Sequence, residues 1–160
     1  MSTPTAQVLQ KTANMLNAAG GLAASLTDYA VLTALMAAPV AVVSHVPQDL
    51  QEKQQKSVYP ICRVYCDQIH NDGKVKFRQF SGTFQVVVEV THSQDRLEGI
   101  TDTLQATADA VSDVLDRNSG NLGDGMVLQP GYQAEFAEVK KGGLHYQQSA
   151  RVKCMVSWER

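Results

Sequence analysis

The sequence predicts an α+β fold: one domain in which an antiparallel sheet of four to five strands carries helices packed on one face. Three stretches predict it. Thr83–Thr91 alternates in strand rhythm; Leu97, Ile100, Leu104, Ala108, Val111, Val114 and Leu115 recur at helical spacing; and two late strands flank a Lys140-Lys141-Gly142-Gly143 hairpin.

The elements follow in chain order. Thr3 caps a first helix with Pro4 at its first position, and Val8, Leu9, Thr12, Met15, Leu16 and Ala19 form its apolar stripe. Gly20-Gly21 stops it. Ser25-Leu26-Thr27-Asp28 reads as a capping box, with Asp for Glu, opening a nearly all-apolar helix over Leu26–Ala37. Pro39 ends that helix, and Val40–Val46 reads as a strand. After a polar loop, Val58–Ile69 is the next strand, with Pro60 near its start where a missing N–H is tolerated. Asn71-Asp72-Gly73 signals a turn. In the Thr83–Thr91 strand Phe84, Val86, Val88 and Val90 share the core face, while Val87 stands on the wetter one. The chain turns at His92–Asp95 into the long helix, whose far side holds Asp102, Gln105, Asp109, Asp113 and Asp116. Asn118–Gly125 reads as a Gly/Asn loop. Tyr132–Val139 and Leu144–Trp158 complete the sheet.

Bulk properties narrow the function. The chain has 160 residues, 44% hydrophobic and 19% charged, enough for one core and no second domain. A formal charge of -2 and a pI near 6.0 argue against a nucleic-acid footprint. No basic region followed by an apolar block marks a leader. Tyr29–Pro47 lacks charge but is interrupted by Thr33, Pro39, Ser44 and His45, so a buried helix and strand are expected rather than a membrane span. Cys62 and Cys66 fall on one face of one strand, their Cα atoms about 13 Å apart, too far for a disulfide. With Cys154 they read as reduced, buried thiols in an intracellular setting.

No motif signals chemistry. His45, His70, His92 and His145 sit at expected strand ends or loops without metal-ligand spacing and read as solvated turn histidines, His70 within local reach of Asp67 or Asp72. No serine sits in a glycine elbow, and the glycine pairs lack a phosphate cradle. The expectation is therefore no enzyme, no cofactor and no metal. A distant alternative is a small α+β enzyme or ligand-binding domain using His45, His70 or Cys62.

The order of elements resembles the tail terminator (tail-completion) proteins of tailed bacteriophages. The residues that carry it are Leu32-Thr33-Ala34-Leu35, Pro39 through Pro47, Tyr59-Pro60-Ile61-Cys62-Arg63-Val64, the strand and helix from Phe84 to Leu115, and the late hairpin. It covers residues 26–160, leaving 1–25 as an N-terminal helical extension. The resemblance implies a virion protein at the head-proximal end of the tail, assembled in the host cytoplasm. It implies a homo-oligomeric, usually hexameric, ring that caps the tail tube, ends its polymerisation and joins the head or neck connector. In contractile tails it also meets the sheath, and DNA passes through without sequence-specific binding. Another head–tail joining protein (neck or head closure), or a tube-like subunit, is the nearer alternative. Interface candidates are Lys74, Lys76, Phe77, Arg78 and Phe80 at the hairpin tip, and Asn121 and Asp124 in the Asn118–Gly125 loop. Phe77 and Phe80 are the apolar anchors there; alternatively they tuck under their own hairpin. The all-apolar helix and Val87 both ask for cover from a neighbour.

Overall fold

A computed structural model describes residues 3–26, 43–44, 59–73 and 80–159. Helix α1 spans Pro4–Asn17, and the Thr3 hydroxyl accepts the Ala6 N–H at 3.3 Å as its cap. The chain then turns at Gly21, where a side chain would run into the Leu16 and Met15 carbonyls at the helix end. That crowding is why glycine stops the helix. Residues 22–26 are already helical (α2), with the Ser25 N–H bonded to the Gly21 carbonyl. The expected cap at Ser25 is thereby corrected. Its hydroxyl instead donates to Asp113 Oδ2 at 2.8 Å and accepts from Arg117, tying α2 to the long helix. The remainder of the expected Leu26–Ala37 helix lies outside the described residues.

The sheet has eight strands among the described residues: β1 Val43–Ser44, β2 Ile61–Asn71, β3 Ser81–Gln94, β4 Gly120–Gly123, β5 Met126–Leu128, β6 Gln133–Phe136, β7 Lys140–Gly142 and β8 His145–Glu159. This exceeds the four to five expected because five are short. The path runs β1-β2-β3-β8-β5-β4, with β6 and β7 also on β8. Every pairing is antiparallel except β1 with β2, which is parallel at Val43↔Cys62 and Ser44↔Arg63.

Several boundaries move. Strand β3 runs through His92 to Gln94, so the turn comes later than expected. Helix α3 spans Ile100–Arg117 and leaves Leu97 outside it, 56% exposed. Gly99, at φ 79, makes the left-handed entry to α3. The expected loop Asn118–Gly125 is instead the β4–β5 hairpin. It is locked where Trp158 Nε1 donates to the Asp124 carbonyl at 2.8 Å. The last hairpin turns at Gly143-Leu144, so Lys140–Gly142 is strand rather than turn.

The core lies between the helices and one sheet face. Phe84, Val86, Val88 and Val90 of β3, Cys62 and Val64 of β2, and Ala150, Val152, Cys154, Val156 and Trp158 of β8 face Leu104, Ala108, Val111 and Val114 of α3. Helix α1 adds Val8 and Leu16, and α2 adds Leu22 and Leu26, so the N-terminal segment shares this core. Hydroxyls inside α3 are satisfied locally: Thr107 bonds the Thr103 carbonyl at 2.8 Å and Ser112 the Ala108 carbonyl at 2.9 Å. Phe80, Phe84 and Trp158 cluster with ring centroids 4.7 to 6.3 Å apart.

All three cysteines are free. Burial pushes the Cys62 and Cys154 thiols from an ordinary value near 9 up to about 12.

Removing the Phe84 ring from this fully buried site should cost about 3–5 kcal/mol, measured as Phe84→Ala in denaturant unfolding. The thiols predict a pH dependence of a definite sign. Between about pH 9 and 12 the unfolded chain has lost protons that the folded chain keeps. Stability should therefore fall as pH rises through that window, by about 1.4 kcal/mol per pH unit for each thiol. Unfolding midpoints of Cys62→Ala/Cys154→Ala over the same window should decline less steeply than those of the parent chain.

Candidate interaction surface

The sheet face opposite the helices carries a row of charge set by register. Arg63 of β2 lies opposite Glu89 of β3, Glu89 opposite Arg151 of β8, and Arg151 opposite Glu135 of β6. Glu89 Oε2 accepts from Tyr65 Oη at 2.9 Å and from Arg151 Nε at 3.1 Å. Lys153 Nζ reaches Glu135 at 3.2 Å. Burial and the adjoining Glu89 carboxylate push the Tyr65 hydroxyl up to about 12. Opposite charges facing one another across strands favour this lateral register.

This face is two different surfaces. On its β2–β3 side Ile61, Arg63, Val87 and Thr91 are buried in the single chain, Val87 to 1% exposure. Val87 therefore needs no cover from a neighbour, which corrects the expectation from its place on the wetter face. The Arg63 guanidinium is buried there with no hydrogen-bond partner among the described residues. On the β8–β6 side the face is open. A groove of about 490 Å³ lies there, lined by Glu89, Glu135, Phe136, Glu138, Lys140 and Arg151, among others. Gln148, which also borders the groove, reaches to the helix side, where it accepts from the Thr101 hydroxyl of α3 at 3.1 Å, and donates to the Ala137 carbonyl at 2.9 Å. All four residues of β6 are exposed. Around that strand Tyr132, Phe136 and Leu144 are 46%, 45% and 87% exposed, an apolar rim beside carboxylates.

The candidate residues fall in different places. Lys74, Lys76, Phe77 and Arg78 lie outside the described residues. Phe80 is buried at 8% exposure against Phe84 and Trp158, so this aromatic serves the chain's own core. Asn121 accepts the Gly123 N–H at 2.8 Å, shaping the β4–β5 turn. Asp124, at φ 56, pairs with Lys11 of α1 at 2.9 Å, and Lys11 also donates to the Leu122 carbonyl at 3.2 Å. Asn121 thus shapes the hairpin, and Asp124 holds it to the N-terminal helix through Lys11.

Of the histidines, His45 lies outside the described residues, and His70 meets Asp72 at 3.1 Å on the surface. His92 is not a solvated turn residue. It is buried within β3, bonded to Gln94 Oε1 at 3.1 Å, and burial lowers its pKa. No group of three or more His, Cys, Asp or Glu among the described residues is placed to hold a metal. No described helix is long and apolar enough to cross a membrane. The residues that sequence reasoning missed are Glu135, Phe136 and Glu138. Their alternation in Tyr132–Val139 signalled a strand, but not that both its faces would be wet.

No protein-family model matches the chain, and no curated protein matches its sequence. Among solved structures, a chain from the virion of a native gene transfer agent particle superposes with a TM-score of 0.48. It is 18% identical, over 98% of this chain and 99% of that one.

Proposed function

We propose that this chain is a virion structural protein of a tailed phage or phage-like particle, acting as the tail terminator. In this reading copies close into a ring, hexameric as the resemblance implies. The ring caps the head-proximal end of the tail tube, ends its growth and presents a face to the neck or head connector. In a contractile tail the same ring meets the last layer of sheath. Assembly takes place in the host cytoplasm.

The open rim of β6 carries this reading. It exposes Tyr132, Phe136 and Leu144 at the sheet's edge, surface that association would remove from water. The order of elements supports it too: an early strand, a long β2–β3 hairpin, an amphipathic helix and a late hairpin follow the layout of the resemblance. A formal charge of -2 suits a conduit, since repulsion keeps passing DNA mobile instead of bound. The protein's work is then done by shape and burial, with no reaction required of it.

Uncapped tail tubes incubated with the purified protein and viewed by electron microscopy should gain one discrete ring at one end and cease to elongate. Tube ends that stay bare, or subunits incorporated along the tube's length, would overturn the terminator reading.

A further inference from the structure

We propose that the tip of the β7–β8 hairpin of one copy, Lys140 to Leu144, seats on the helix side of β6 in the next copy, against the flank of that copy's α3. The inference deepens the ring reading and rests on it for closure of the ring, though not for the contact itself.

The receiving face is an apolar row that the chain's own helices leave in water. Register puts Ala134 opposite Val152 and Phe136 opposite Ala150, both core residues, so these two side chains leave the sheet on the helix side. Strict alternation adds Tyr132 to them and sends Gln133 and Glu135 to the charged face. That is the pattern of a strand roofed on its apolar side. The roof stops at β8, however. Val152 and Ala150 are fully buried, whereas Ala134, Phe136 and Tyr132 are all exposed.

The wall beside this row sets the charge of what fits. Thr101 of α3 reaches Gln148, which stands two residues from Ala150 on the same side of the sheet. The first turns of α3 therefore run alongside Phe136. On that stretch Asp102, Gln105 and Asp109 are exposed, a turn apart from one another. Asp113 is held by Arg117, but Asp102 and Asp109 make no ion pair among the described residues. An apolar floor beside carboxylates suits an occupant that brings an apolar point together with cations.

The hairpin tip has that chemistry. Leu144, at 87%, is the most exposed large hydrophobic among the described residues. Lys140 and Lys141 shortly precede it, both exposed, and the Lys141 ammonium is steadied 5.6 Å from the centre of the Tyr146 ring. The tip cannot fold back on the β6 of its own chain. Its ladder holds Lys140 to Gln147 and Lys141 to Tyr146, and Leu144 lies about 20 Å along β8 from the Ala150 row. Contact is therefore between copies, and it joins two different patches. Such a head-to-tail contact propagates around a ring if its rotation closes.

Sedimentation over a concentration series tests the contact. Leu144→Ser changes a side chain that stands almost wholly in water, and should weaken self-association at least about tenfold with the thermal midpoint unchanged. Lys140→Glu/Lys141→Glu and Asp102→Lys/Asp109→Lys should each weaken it to a similar extent. Mixing these two charge-reversed chains should restore association, because the acidic tip then meets a basic wall and the basic tip an acidic one. A parent chain that stays monomeric up to millimolar concentration, variants that associate as the parent does, or a mixture that fails to recover would overturn the proposal. The two readings fail separately: rings that need this contact yet leave tubes bare remove only the terminator role, while tubes capped equally well by the charge-reversed chains remove only the contact.

Discussion

The ladder between β3 and β8 organises everything else in the molecule. It runs unbroken from Ser81↔Glu159 to Gln94↔Tyr146, and along it the core residues of the two strands stand opposite one another: Phe84 with Val156, Val86 with Cys154, Val88 with Val152, Val90 with Ala150. Strand side chains alternate strictly, so a slip of β8 by one residue against β3 would send Ala150, Val152, Cys154 and Val156 to the charged face and bring Arg151 and Lys153 under α3. Neither half of that exchange is tolerable, because buried charge costs several kcal/mol unless paired. The register is thus held from both faces at once. Helix α3 lies across these two strands, with its apolar stripe packed on them.

Because β8 gives one edge wholly to β3, its other edge is shared along its length by β7, β6 and β5 in turn. Three short strands make a broken rim instead of a continuous outer strand. Beyond β5 the β4–β5 hairpin is held down by Trp158 and by Lys11 of α1, so the N-terminal helix fastens one end of this rim. The β6 stretch has no such fastening on its outer side among the described residues. The rim is closed where the chain has side chains to spare for it and open where it presents Phe136 between carboxylates.

How much of this was legible beforehand depended on whether a residue's surroundings are local. Thr3 and Pro4 mark a helix start through bonds within four residues, and the structure places α1 there. The alternation of β3 and β8 and the stripe of α3 encode burial in their own period. Ser25 failed because a serine before an apolar run caps a helix only if its hydroxyl is not claimed elsewhere, and Asp113 and Arg117, some ninety residues on, claim it. Asn118–Gly125 read as a loop because glycine and asparagine are turn residues in every local sense. Its strands exist because the end of β8 offers them an edge. His92 looked like a turn residue only because β3 was expected to stop at Thr91.

Val87 and Phe136 show why a sequence names a partnered surface less well than a core. Val87 lies outside the core rhythm of its strand and reads as a patch awaiting a neighbour, whereas Phe136 stands opposite the core residue Ala150. In the folded chain Val87 is covered, with Ile61, Arg63 and Thr91 buried around it, while Phe136 stays 45% exposed. The difference lies in position across the sheet: β3 is a central strand flanked by β2 and β8, whereas among the described residues β6 has a partner on one side only. A central strand can be roofed by its own chain on both faces, but an edge strand keeps a row of backbone groups that nothing within its sheet completes. The outer face therefore divides along β8. Toward β2 it is already interior, and a neighbour would have to displace the chain's own packing to enter. Toward β6 it offers the Glu135 carboxylate, while the exposed Phe136, opposite Ala150 in register, stands on the other face of the same edge.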